Sequence, residues 1–408
     1  MARRPFSLSA YLALARGRDR FADATDQWPA RPKGKVLWFH ADTLARLDIL
    51  LTLAKRLKAQ RGDFEFVLTC DALRGSEGFP DALFAAPPPA ETRSDIDRFL
   101  LHFKPDILIW AGNGLRPALL HASDEAGLNM LLVDAADADW RQPSTRWLPD
   151  ATSGALSLFH AVFAQDEAAA KRLRRLGVRT ARVEVTSPLE AEIIPLKSHD
   201  GLHDEMTAAL AGRPVWLAAG LHADEIEVVL LAHRRAARLA HRLLLIVVPQ
   251  DPAIEGLVAS ASEDMPLRTV RWDNGEMPDE NTQVLVAGDD SELGLWYRLA
   301  PLCFLGGSLV GNDKGQSPLM AAALGSAILY GPNVGKHLDT YSRLVAAGAA
   351  RIVNDTDSLS AAVSHLIAPD RAASMAHAGW SVVSAGAETS DMIMTQLEDW
   401  MDALGGAA

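Results

Sequence analysis

The sequence predicts an α/β protein built from two doubly wound, Rossmann-like domains facing each other across a cleft. Three observations carry this reading. The chain has 408 residues, 49% of them hydrophobic, which is enough for two cores at about 100–200 residues per domain. Short apolar, β-rich runs alternate with amphipathic helical stretches along most of the chain, and that alternation indicates parallel sheets covered on both faces. A polar stretch from Pro195 to Gly212 interrupts the pattern near the middle. It reads as a hinge between a domain at 1–200 and a domain at 201–408.

The elements follow in order. Residues 5–15 are apolar and helix-permissive, and Arg3, Arg4, Arg16, Arg18 and Arg20 flank them, opposed only by Asp19. The run is too short to span a bilayer and too interrupted by charge to be a secretory signal. Two readings stay open: a helix lying on an anionic membrane surface, or an ordinary packed helix with solvated arginines. Strands follow at Lys35–His40, Phe64–Cys70, Asp106–Trp110, Met130–Asp134, Ala161–Gln165 and Val183–Ser187. Asp42–Gln60 and Asp166–Leu176 are helical patterns between them, the second closed by Gly177 as a C-cap glycine. In the second half the strands fall at Val215–Ala219, Leu243–Val248, Arg268–Trp272, Gln283–Ala287, Leu302–Leu305, Ala327–Tyr330 and Ala350–Val353. The tail after Trp400 is expected to fray.

A net charge of -12 argues against nucleic acid as a partner, because phosphate binding wants basic surface. Cys70 and Cys303 lie in apolar strand-like runs with no metal spacing around them, so they read as small buried thiols. No spacing calls for a metal or a cofactor.

The segment with most chemical content is Cys303–Pro332. A strand leads to Gly306-Gly307-Ser308, then a loop containing Lys314, then Ser317 placed to cap a helix begun by Pro318, then a second strand and Gly331-Pro332. Glycines after a strand allow close backbone approach to a ligand. A capped helix start offers free N–H groups to an anion such as a nucleotide phosphate.

Longer runs carry a resemblance. Ser291-Glu292-Leu-Gly-Leu-Trp-Tyr-Arg-Leu-Ala300, Phe304-Leu-Gly-Gly-Ser-Leu-Val310 and Arg31-Pro-Lys-Gly-Lys-Val-Leu-Trp-Phe-His-Ala41 resemble the bacterial Kdo (3-deoxy-D-manno-octulosonic acid) transferases. So do Arg213–Ala219 with His222 and Glu225, Leu243–Pro249 and Gly348–Val353. The likeness runs in order from about residue 30 to 370. It implies a GT-B glycosyltransferase fold with an acceptor-side domain first and a donor-binding domain second. It also implies CMP-Kdo as donor, an anionic lipid A precursor as acceptor, and a peripheral place on the cytoplasmic face of the inner membrane.

The departures fall on the polar positions. Where the family has His-Ala-x-Ser-x-Gly-Glu, ending in its catalytic base, this chain reads His40-Ala-Asp-Thr-Leu-Ala-Arg46. The family's Glu-Thr-Glu-x-Trp-Pro-Asn becomes Trp110-Ala-Gly-Asn-Gly-Leu-Arg-Pro117, its Gly-Asn-Leu-Lys becomes Ser187-Pro-Leu-Glu190, and its Pro-Arg-His-Pro becomes Pro249-Gln-Asp-Pro252. Ser317 and Met320 replace an asparagine and a glutamate.

Arg46 stays protonated and cannot be a base, although beside an anionic acceptor it could bind it. Asp42 is the candidate replacement base; the competing reading makes it a helix N-cap. His40 reads either as a packed strand-end histidine or as an acceptor contact. On the donor side, His222 and Glu225 stand at a loop-to-helix start facing the ligand, Glu292 is placed for a ribose hydroxyl pair, and Lys314 for a phosphate. Two functions stay open: a Kdo-type transferase, or a non-catalytic paralogue that binds sugar or lipid. A nucleotide-sugar epimerase is a weaker third.

Overall fold

The structure is a computed structural model that describes residues 28–73, 85–86, 88–140, 151–190, 196, 200–311 and 315–406. The arginine-flanked stretch at 5–15 and Lys314 lie outside the described residues. The fold is α/β, with two parallel sheets, and the chain divides into two compact units, 1–192 with 385–408, and 193–384.

The first unit is a seven-stranded sheet in the order β3-β2-β1-β4-β5-β6-β7. Its strands are β1 (Lys35–Ala41), β2 (Phe64–Cys70), β3 (Ala85–Ala86), β4 (Ile107–Ala111), β5 (Asn129–Ala135), β6 (Ala161–Ala164) and β7 (Val183–Val185). Every pairing is parallel. Side chains alternate between faces along a strand. In β1, Val36 and Trp38 enter one core with Phe99, Phe103 and Leu120, while Leu37, Phe39 and Ala41 enter the other with Leu47, Leu50 and Leu57. That two-sided burial is why these strands read as unbroken apolar runs.

The order reverses between β1 and β4. Helix Leu44–Arg61 after β1 packs on one face and helix Pro117–Glu125 after β4 on the other. The loops leaving these two strands therefore part company at their carboxyl ends, which is the topological switch point where such sheets bind ligands.

The second unit repeats the plan in the order β10-β11-β9-β8-β12-β13-β14. Its strands are β8 (Val215–Leu221), β9 (Leu244–Pro249), β10 (Thr269–Arg271), β11 (Val284–Val286), β12 (Leu302–Leu305), β13 (Ala327–Tyr330) and β14 (Ala350–Ile352). Its switch point lies between β8 and β12. Helix Ile226–Ala237 covers one face there and helix Leu319–Ala323 the other.

Three features differ from the sequence reading. The stretch Pro195–Gly212 is not an open hinge throughout: it contains helix Asp200–Leu210, whose Met206 and Leu210 are buried in the second unit's core. The described residues after Trp400 are not frayed: helix Pro369–Gly406 continues past it, and Ile393, Met394, Leu397 and Met401 fill the core beneath β1 and β2. Their helical spacing makes one apolar stripe, and it returns residues 385–408 to the first unit. Third, Thr43 and not Asp42 is the N-cap of helix Leu44–Arg61, so Asp42's carboxylate serves another purpose. Among the described residues, no helix is long and apolar enough to cross a membrane.

Candidate functional site

Each switch point gathers polar side chains, and the two are built differently. In the first unit, His40 sits beside Trp110 in register, with ring centroids 3.9 Å apart. Trp38 Nε1 donates to Thr69 Oγ1 at 2.8 Å, and Thr69 Oγ1 lies 2.8 Å from His40 Nδ1. The Thr69 hydroxyl has two acceptor positions and one proton, so it accepts from the indole and still pairs with Nδ1 in either tautomer of the ring. Nε2 faces Asp71 Oδ2 at 3.6 Å. Burial lowers the pKa of His40, against the pull of Asp71. With no exposed surface, His40 is a packed, neutral strand-end histidine.

Asp42 follows β1 directly. Its carboxylate lies over Gly112, where an added Cβ would stand 2.2 Å from it, and Gly112 holds φ at +121°. Only glycine accommodates both constraints. The carboxylate accepts from Asn113 N at 3.0 Å and from Arg46 Nη1 at 3.0 and 3.2 Å. Arg46 also reaches Asp139 at 2.7 Å and Asp134 at 3.5 Å. Burial opposes the Arg46 charge, but Asp139, Asp42 and Asp134 outweigh it and leave its pKa raised.

Asp134 adopts a left-handed φ of +55° where β5 is irregular. This turns its carboxylate to accept from Leu189 N at 2.9 Å and Gln165 Nε2 at 2.7 Å. Burial still raises its pKa. The guanidinium thus fills the space between three carboxylates. Arg46, expected on the acceptor side, pairs with Asp42, Asp139 and Asp134, and with three aspartates to one arginine the cluster carries an excess of carboxylates.

In the second unit the centre is Glu225, which has no exposed surface. Its carboxylate accepts from Gly307 N at 2.7 Å, Leu309 N at 2.8 Å, Ser308 N at 3.1 Å and His222 N at 3.3 Å. Ser308 Oγ accepts from Gly331 N at 2.8 Å and donates to Leu305 O, tying the two glycine turns together. A Cβ on Gly306 would stand 2.3 Å from Gly220 O, and one on Gly307 would stand 2.8 Å from His222 Nε2. Gly306 is therefore set by the neighbouring strand end, and Gly307 by the imidazole that lies over it. Gln316 Nε2 donates to Ala219 O at 2.7 Å.

The N–H groups of the turn have partners inside the protein: Gly306 donates to Ala219 O at 2.9 Å, and Gly307 and Ser308 donate to Glu225. Glu225 itself, expected at the donor site, is buried and spends its carboxylate on backbone N–H groups of residues 222 and 307–309. The expected capped helix is also revised. Helix Leu319–Ala323 has five residues and Pro318 as N-cap with no side-chain cap, and Ser317 Oγ is 3.5 Å from Leu319 N. Glu292 is the half-buried N-cap residue of helix Leu293–Leu299. Its carbonyl accepts from Leu295 N at 2.8 Å.

Sequence reasoning missed Asn113, Asp134, Asp139 and Gln165. Arg46, the partner of two of them, lies 93 residues from Asp139, and only the order β1-β4-β5 brings those strand ends together.

The comparisons extend over both units. The family profile described as 3-deoxy-D-manno-octulosonic-acid transferase (kdotransferase) matches residues 15–192. The chain is similar to 3-deoxy-D-manno-octulosonic acid transferase of Haemophilus influenzae, 25% identical over 384 residues, 91% of this chain and 88% of that one. It is also similar to the protein of that name from Bordetella pertussis, 26% identical over 400 residues, 94% and 91% of the two chains. Among solved structures it matches the C-terminal CMP-Kdo binding domain of WaaA from Acinetobacter baumannii, with 24% identity, 47% of this chain, 98% of that one and a TM-score of 0.41.

Proposed function

We propose that the chain is a member of the Kdo transferase family, to which it is similar, and that it transfers Kdo from CMP-Kdo to an anionic lipid A precursor in lipopolysaccharide synthesis. The observation that carries this is the extent of the likeness, 91% of the chain in one alignment through both units. In this reading the second unit holds the nucleotide sugar and the first holds the acceptor. The acceptor hydroxyl oxygen bonds to the anomeric carbon of Kdo, the bond from that carbon to the CMP phosphate oxygen breaks, and CMP leaves with the electron pair.

Asp42 is the group proposed to take the hydroxyl proton. Three carboxylates share one guanidinium here. A proton arriving on Asp42 therefore relieves like-charge repulsion, while Arg46 keeps Asp134 and Asp139 as partners. The protein works peripherally at the cytoplasmic face of the inner membrane, drawn by the arginines at 3, 4, 16, 18 and 20. Sedimentation with anionic vesicles at low salt, weakened by replacing Arg16, Arg18 and Arg20 with glutamine, is the expected result. Binding indifferent to those changes rejects this anchor.

A second reading has its own support. Arg46 stands where the family has its catalytic glutamate, and its donors are spent on aspartates. That favours a paralogue that binds sugar or lipid without transferring. Incubation of the purified protein with labelled CMP-Kdo and lipid A precursor separates the two. Labelled glycolipid is the expected product; CMP-Kdo binding without product selects the paralogue.

A further inference from the structure

Glu225 is a charged side chain with no contact with solvent. Such a group carries a heavy desolvation cost unless hydrogen bonds replace its water. Here each oxygen accepts two N–H groups: Oε2 from Gly307 and His222, Oε1 from Ser308 and Leu309. Successive backbone N–H groups converging on one point make a concavity suited to an anion. In this chain the anion is covalently built in, supplied from 82–84 residues away along the sequence. No other side chain does this as well. Glutamine has one acceptor oxygen and would press its amide N–H groups against two backbone N–H donors. The same carboxylate holds the backbone of His222, whose ring covers Gly307.

We propose that Glu225 is a positioning residue of the donor site. It fills the N–H concavity at 307–309, fixes the glycine turn and the base of His222, and makes the donor's phosphate bind outside that concavity, on the side of the turn that the His222 ring covers. The nature of the donor rests on the transferase reading; the clamp does not.

The test compares E225Q and E225A, each with and without sodium formate, a carboxylate small enough for the vacated space. Both variants should melt lower than wild type, and both should raise the KM for CMP-Kdo by about tenfold or more, with kcat changed less. Formate should restore the melting temperature and KM of E225A and leave E225Q unchanged, because only alanine opens the concavity. A side chain that merely filled space would give the reverse order, with glutamine close to wild type.

Should either variant fail to fold, hydrogen exchange on wild type still decides. The amides of Gly307, Ser308 and Leu309 should exchange as slowly as those of β12. Wild-type behaviour of E225Q, no response of E225A to formate, or fast exchange at those amides overturns the proposal. Formate rescue of melting in a protein that CMP does not stabilise upholds the clamp and removes the donor assignment.

Discussion

The two switch points use opposite charges in the same topological place. Arg46 follows β1 and Glu225 follows β8, each just beyond the strand on one side of the reversal. Glu225 meets backbone N–H groups, which cannot ionise or turn away, so the second site is a rigid neutral-donor cage around one carboxylate. Arg46 meets three side-chain carboxylates, groups that, unlike a main-chain amide, can accept a proton. A cage of main-chain donors suits holding a ligand's surroundings still, and a cluster of carboxylates suits proton transfer. On the transferase reading proposed above, this difference would put the proton transfer in the first unit and the positioning in the second.

The largest effect that tests this contrast is on turnover. Asp42→Asn should lower kcat for Kdo transfer by about 10²–10⁴-fold with little change in donor KM. Changes at Glu225 act mainly on KM. Equal kcat for wild type and Asp42→Asn, in a protein that does transfer, would move the base to another residue.

Next comes stability. Removing Arg46 as Arg46→Met leaves three close carboxylates without their counter-charge, and the loss is expected to be about 3–5 kcal/mol in urea unfolding at neutral pH. Adding Asp134→Asn should return part of it, because one buried charge then disappears. If the single variant unfolds at the wild-type midpoint, the cluster is not the electrostatic keystone of its switch point.

The smallest effect concerns pH, where the units behave alike. In the second unit His233 is buried against Trp216, whose Nε1 donates to His233 Nδ1 at 3.1 Å, and burial lowers its pKa to about 3. Unfolded, a histidine titrates near 6.5. Between these values the unfolded chain binds a proton that the folded chain refuses, so stability falls as pH falls. His40 acts in the same direction. At pH 5 the His233 share is about 2 kcal/mol. His233→Leu should flatten the loss of urea stability between pH 7 and 5 by that amount. An unchanged slope would mean His233 is protonated in the folded protein.

The sequence by itself determined the elements. Phe64–Cys70, Leu302–Leu305 and Ala327–Tyr330 are strands over the residues expected, and most others shift by one or two. Strands buried on both faces must be apolar along their whole length, and helices between them must carry one apolar stripe, so composition and period record the architecture locally. The resemblance to Kdo transferases was likewise legible in contiguous runs such as Phe304–Val310.

Tertiary structure decided what those residues meet. Glu225 and the turn at Gly306–Ser308 read as two separate parts of a donor site, and the structure joins them by hydrogen bonds from Gly307, Ser308 and Leu309 to the carboxylate. Arg46 read as a cation without a named partner, and it pairs with aspartates from β5 and the loop beyond it. The last residues read as a loose tail, yet Met401 lies in the core beneath β1. Each correction involves partners far apart in sequence. The hydrogen bonds of an ionised side chain depend on which strand ends lie side by side, and that is fixed by sheet order, which no local period encodes.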